Sequence, residues 1–395
     1  MSSRVSKFLL SLVPFIILLT ACLPSATPAI STRQPSPVPS RGRCGDGVCD
    51  GPENPQNCPA DCLGSPTPPE QQLPPTQPAT PPPVQCPNGY MTFAVNVHDI
   101  RYVSDSADTL LRLIGIFENY HVRGDFYFTA PLVELYSQQR PDVIARLRDS
   151  RMTISYHIRP PHPAYPGFDA RLRTFDDKTL EQTLRDYETY RMDLTTGNLD
   201  RSQPGGYAYV AQVFGRKPVV VSPMSGDRRI RATLLKIYAE MGAQMLVAYH
   251  EEGTSITNPF VYENGLLQRP SDFSVTRVNG NFWWNLIFTP GGEQYNPTKM
   301  LKERLAQWSA PRPPFITALI HEDNFYRNGN PWRSFFYNAN DKPLSPPYNL
   351  NTPDTSRPRT REQTEAIFRA YEELVAYAAK NLCVVTSEDI VTLAK

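Results

Sequence analysis

The sequence lacks an excess of either charge: 40 Lys and Arg stand against 39 Asp and Glu, a formal net charge of +1 at pH 7. It therefore offers no basic field for nucleic acid, and no strongly acidic one either. Histidine is scarce, with six in 395 residues. There is no His-Glu-x-x-His, the helical zinc site of many metalloproteases. No opposed pair of carboxylates stands out, as glycoside hydrolysis would require. Beyond one apolar run near the amino terminus, no stretch is long enough to cross a bilayer, which takes about 20 apolar residues. Proline, by contrast, is plentiful at 41 residues, and it is unevenly placed.

The amino terminus reads as an export signal. Arg4 and Lys7 precede the apolar run FLLSLVPFIILLT from Phe8 to Thr20, a length that suits a signal peptide better than a spanning helix. The following Leu19-Thr20-Ala21-Cys22 resembles the lipobox of bacterial lipoproteins. That resemblance implies cleavage after residue 21, a lipid on Cys22, attachment to a membrane, and a place in the cell envelope outside the cytoplasm.

Between Leu23 and Gln85 lie 17 prolines in 63 residues, mixed with Ser, Thr and Gln. Such a segment buries too little apolar surface to offset its ordering entropy, so residues 22–43 and 63–85 are expected to be linkers. Between them, at 44–62, sits CGDGVCDGPENPQNCPADC. Cys44, Cys49, Cys58 and Cys62 in an exported chain predict two disulfides in preference to a zinc site. The island resembles short calcium-binding repeats of secreted proteins, which implies Asp46, Asp50, Glu53 and Asp61 as oxygen ligands for calcium. The same acids would also serve simply to keep a small disulfide knot soluble.

From Cys86 to Lys395 strand-like runs alternate with amphipathic helical stretches. Strands are expected at 91–97, 125–129, 152–156, 218–221, 244–249, 315–320 and 382–386. Helices are expected at 107–119, 141–149, 180–194, 231–241, 298–309 and 361–379. This alternation predicts an α/β fold with a parallel sheet covered by helices, and the length suits one distorted (β/α)7 TIM-like barrel. Cys86 and Cys383 flank its first and last strands, which are neighbours in a barrel, so a disulfide between them is expected.

Four of the six histidines directly follow an apolar strand-like run: His98 with Asp99, His157, His250, and His321 with Glu322 and Asp323. In a parallel barrel that is where the active face lies. A fifth, His162, follows in His157-Ile-Arg-Pro-Pro-His162, where the prolines forbid helix and favour an extended loop. His157, His162 and Asp99 would make a facial set for zinc or a similar divalent ion, cobalt or nickel included. His250, beside Glu251 and Glu252, is a further candidate base. His121 lies between a helix and a strand on the opposite face and reads as structural.

This pattern resembles the polysaccharide deacetylases of the NodB type, carbohydrate esterase family 4. His98-Asp99 stands where the family has its aspartate pair, Gly124-Asp-Phe-Tyr-Phe-Thr129 resembles its second strand, and Leu319-Ile320-His321 resembles its late Leu-x-His. His157 to His162 corresponds to its metal-binding histidine pair with one extra residue. The resemblance implies a metal-dependent enzyme that removes acetyl groups from a polysaccharide, with His321 as the acid; a monomer is expected. Two departures are plain. His98 replaces the aspartate base, and the Arg-Pro-Pro motif has no counterpart closer than Gln203-Pro-Gly-Gly-Tyr207. His98 could take the base role itself, since imidazole titrates near neutrality. A glycan-binding protein that has lost turnover is the alternative. Tyr207, Phe325, Tyr326 and Trp332 are the expected substrate-facing aromatics.

Overall fold

The structure, a computed structural model, describes residues 86–247, 257–278, 281–282 and 296–395. The lipidation site Cys22, the island cysteines Cys44, Cys49, Cys58 and Cys62, and the calcium candidates Asp46, Asp50, Glu53 and Asp61 lie outside them. So do His250, Glu251 and Glu252.

The order along the chain is β1 (Tyr90–Val97), α1 (Val103–Asn119), β2 (Asp125–Phe128), α2 (Ala130–Gln139), α3 (Pro141–Asp149), β3 (Thr153–His157) and α4 (Asp177–Tyr187). A hairpin, β4 (Tyr190–Met192) and β5 (Leu199–Pro204), leads into α5 (Gly206–Phe214), β6 (Val220–Ser222), α6 (Arg228–Met241) and β7 (Met245–Leu246). Short strands follow: β8 (Tyr262–Glu263), β9 (Leu266–Gln268), β10 (Phe273–Ser274), β11 (Arg277–Val278) and β12 (Asn281–Phe282). The chain closes with α7 (Pro297–Gln307), β13 (Phe315–His321), α8 (Arg333–Phe336), α9 (Arg361–Asn381), β14 (Cys383–Val384) and α10 (Ser387–Leu393).

One sheet runs β10-β13-β1-β2-β3-β6-β7-β9-β8, with β14 beside the start of β1. Every pairing in it is parallel except β8 with β9. The expected α/β class and parallel sheet are present. The expected distorted barrel takes the form of a curled half-barrel: among the described residues, its edge strands β8 and β10 do not pair.

Two cores flank the sheet. Side chains alternate along a strand, and Met91, Phe93, Val95 and Val97 of β1 join Phe126, Phe128 and Ile154 against the helices. The opposite face sends Ala94, Tyr127, Val220, Met245 and Phe315 inward, where Ile390 and Val391 of α10 meet them. Local signals set helix starts: Asp176 caps α4, Asp227 caps α6, and Thr360 with Gln363 forms a capping box on α9. Cys86 and Cys383 are disulfide-bonded with 5.7 Å between their Cα atoms, joining the starts of β1 and β14. No helix among the described residues is long and apolar enough to cross a membrane.

Candidate functional site

Neighbouring parallel strands deliver the histidines to one place. Asn96 of β1 is in register with His321 at the end of β13, and β2 separates β1 from β3, which ends on His157. Beyond β13 the chain turns at once into a 3₁₀ segment, Glu322–Phe325, which folds Asp323 back over the strand ends.

There the ligand atoms of His98, His321 and Asp323 lie within 4.8 Å of one another, the one such group of three among the described residues. His98 Nε2 is 3.7 Å from Asp323 Oδ2, and both side chains are fully buried. The His98 ring centroid is 4.9 Å from that of His321 and 5.4 Å from that of His157. Neither ring nitrogen of His98 nor either carboxylate oxygen of Asp323 has a hydrogen-bond partner. Buried polar atoms are ordinarily satisfied, so orphans of complementary ligand type at one point call for a missing partner. Two imidazoles and a carboxylate fit a zinc-like divalent ion. Burial, then the charge of Arg159, holds His98 and His157 well below the usual histidine range. They are therefore neutral, as ligating imidazoles must be. Burial likewise pushes the Asp323 carboxyl up, with Glu322 adding to the push.

The ligand set expected from the sequence was Asp99, His157 and His162, and the structure does not gather it. Asp99 is turned aside: Tyr326 donates its hydroxyl to Oδ2 at 2.7 Å and Arg101 its N–H to Oδ1 at 2.9 Å. Burial nevertheless raises its pKa to about 6. His162 lines the adjoining cleft but stands outside that group of three. Its Nδ1 accepts the N–H of Ala164 at 3.2 Å, and its Nε2 faces Glu188 Oε1 at 3.3 Å. His157 stays beside His98. Asp323, which sequence reasoning passed over, joins His98 and His321 instead; the run His321-Glu322-Asp323 after an apolar strand was its available signal.

A second layer holds the cluster. Oε1 of the fully buried Glu322 accepts the N–H groups of His98 and Asp99, each at 2.6 Å, and Ser106 Oγ at 3.3 Å. One carboxylate thus fixes the end of β1, and with it the His98 ring.

The cluster adjoins a cleft. His98, His157 and Arg159 form its inner wall, and Trp332, Phe336 and Tyr209 supply aromatic surface. Of the four expected substrate aromatics, Trp332 is in this wall, its indole edge-on to His98 at 5.5 Å. Tyr326 backs Asp99. Phe325 and Tyr207 require correction, each being 1% exposed. Phe325 packs on Phe368 with centroids 4.4 Å apart, and Tyr207 donates its hydroxyl to the carbonyl of Pro218. Tyr209, two residues on, faces the cleft instead because successive helical residues point about 100° apart.

No family model matches this chain, and no curated protein does. Solved structures to which it is similar include a 4-α-glucanotransferase from Thermococcus litoralis, at 13% identity and TM-score 0.43. The match covers 77% of this chain and 40% of that one, so this chain spans well under half of its length. Another is a putative polysaccharide deacetylase from Mycobacterium smegmatis: 14% identity, TM-score 0.41, covering 79% of this chain and 93% of that one. A third is a CE4-family pseudoenzyme from Bacillus anthracis, at 12% identity and TM-score 0.35, covering 79% and 69% respectively. The functional reading rests on the cleft's own side chains.

Proposed function

We propose that this chain is a metal-dependent hydrolase that removes acyl groups from a glycan outside the cytoplasm, tethered through Cys22. The observation that carries this reading is the buried His98–His321–Asp323 cluster, in which the ligand atoms of His98 and Asp323 are orphaned, beside an aromatic-walled cleft. The Cys86–Cys383 disulfide supports an oxidising compartment.

A divalent ion held by His98, His321 and Asp323 would supply Lewis acidity toward an acyl carbonyl and toward water. The protein's own groups do the rest. Glu322 keeps His98 in place through the strand-end N–H groups. His157, next to His98, lines the cleft where it could meet a substrate proton. Trp332 excludes water from one side and offers an apolar face to a sugar ring.

A second reading, a glycan-binding protein without turnover, is favoured by one observation. His98 occupies the base position of the resembled family, and the neighbouring Asp99 is tied to Tyr326 and Arg101.

The test is metal content and acetate release on the full chain, using acetylated chitooligosaccharides and a generic acetyl ester, beside His98→Ala and His157→Ala. Stoichiometric metal lost in His98→Ala, with acetate release lost in both variants, supports the hydrolase. Metal without turnover supports the binding protein, and absence of metal sinks the site assignment.

A further inference from the structure

Away from the histidines, the cleft is lined mainly by apolar side chains drawn from separate parts of the chain. Ala130 and Pro131 come from the first turn of α2, Met192 and Leu194 from the end of β4 and the turn after it, and Trp332 and Phe336 from α8 and its start. Trp332 and Phe336 are four residues apart, about one helical turn, and so share a face. Met192 and Leu194 are half-buried, leaving apolar surface uncovered by the rest of the protein.

The polar lining is small, and much of it is engaged within the protein. Among the described residues, no Asp, Asn, Gln or Ser side chain lines the cleft. Arg191 Nε lies 2.8 and 3.0 Å from the two oxygens of Glu134. The Tyr187 hydroxyl donates to the carbonyl of Gly197 at 2.7 Å. His162 is held between the Ala164 N–H and Glu188. Arg159 stands at the cluster end, where its charge is felt at His98 and His157.

A sugar ring carries hydroxyls around its rim, and each one buried without a partner is costly. An alkyl chain needs no partners and gains from every methylene taken out of water. Ligand sites are typically apolar with a few polar groups that fix orientation, and here those groups gather at the cluster. We infer that the cleft receives the hydrocarbon tail of an acyl group longer than acetyl, with Met192 and Leu194 gripping the tail. This deepens the proposed reading and rests on it for the reacting group, whereas binding of an alkyl chain does not depend on turnover.

The test titrates the full chain with methyl, butyl and hexyl β-glucosides by calorimetry, below micelle formation. The three share one sugar and differ only in the tail. Each added methylene should tighten binding about 2- to 4-fold, so hexyl should exceed butyl by about 4- to 16-fold. Met192→Asn and Leu194→Asn, both at half-buried positions and checked for folding by their melting curves, should each reduce that ratio below about 3-fold. A wild-type ratio near one overturns the inference. So does a ratio that survives in both folded variants, which would put the tail outside the cleft. Hydrolysis of 4-nitrophenyl acetate and hexanoate by the same samples separates the inference from the reading beneath it. A higher kcat/KM for the hexanoate, lost in Leu194→Asn, supports both. Tail-dependent glucoside binding without hydrolysis of either ester refutes the hydrolase and upholds the alkyl pocket. Hydrolysis that favours the acetate overturns the assignment of the cleft to a longer acyl group.

Discussion

At the end of β1 two consecutive N–H groups converge on one oxygen of Glu322, far from water. Glu322→Ala would strand both donors, at about 1–3 kcal/mol for each unsatisfied buried group. It should therefore destabilise the protein by roughly 2–6 kcal/mol and weaken metal binding by releasing His98. Glu322→Gln keeps one acceptor oxygen and should cost much less in both chemical denaturation and metal titration; equal losses would show that Glu322 does not act through those N–H groups. Asp125 tests the pH dependence. It is buried at the start of β2, accepts from the N–H and hydroxyl of Ser387, and burial raises its pKa to about 6. A carboxyl with its folded pKa above the unfolded value favours folding at low pH, and this contribution fades as pH rises through about 6. The stability of Asp125→Asn relative to wild type should thus improve by about 2 kcal/mol between pH 4 and pH 7, measured by urea denaturation. A constant difference would mean that Asp125 keeps its charge throughout. The site itself was half legible in the sequence. Strand-end placement found His98, His157 and His321, since apolar runs mark where strands stop. The choice of ligands was not legible, because it turned on where side chains point: Tyr326 claims Asp99, Glu188 faces His162, and a 3₁₀ turn returns Asp323.

Helix α5 shows what sets an element's position when propensity does not. Its amino end packs on the preceding turn: Gly206 has φ of +55°, and a Cβ there would lie 2.4 Å from Glu188 Cα. The Glu188 carboxylate accepts the Tyr207 N–H at that end, 3.1 Å away, and the Tyr238 hydroxyl at 2.7 Å. At the other end Gly215 has φ of +67° with open space around it. Gly215→Ala should cost only the left-handed backbone term, about 1–2 kcal/mol, whereas Gly206→Ala adds a backbone clash and should cost clearly more, by about 2 kcal/mol or above. Thermal unfolding of the pair checks this, and equal costs would place the strain in the dihedral alone. The same region is where sequence reading failed. A helix was expected over 180–194, but α4 ends at Tyr187 because Glu188 turns inward, and Tyr190 to Met192 pair as a strand with β5. Helix α5 itself was not foreseen, since two glycines followed by Tyr, Val and Phe carry little helical signal. The long strands and helices were legible, as at 141–149, where the expected and observed helices coincide.

For the whole molecule, the ends of the domain are tied at the face opposite the cluster. The Cys86–Cys383 bond spans 297 residues in sequence, and Cys383 pairs in register with Tyr90 at the start of β1. The cluster sits past the other end of that eight-residue strand, about 25 Å away at ~3.3 Å per residue. Stability and site chemistry should therefore separate. The double variant Cys86→Ser with Cys383→Ser frees a very long loop in the unfolded chain and should lose about 3–5 kcal/mol. For a domain of this size that corresponds to a melting point lower by roughly 5–8 °C. The β1–β13 register that carries His98 and His321 is built from seven aligned pairs and does not pass through the bond. Metal stoichiometry measured well below the new melting point should accordingly match wild type. A variant that melts as predicted yet binds no metal would mean that the curled sheet transmits strain from its amino-terminal edge to the ligands. Unchanged melting would mean that the β1–β14 pairing and the packing of α9 and α10 already hold the chain ends without the covalent tie.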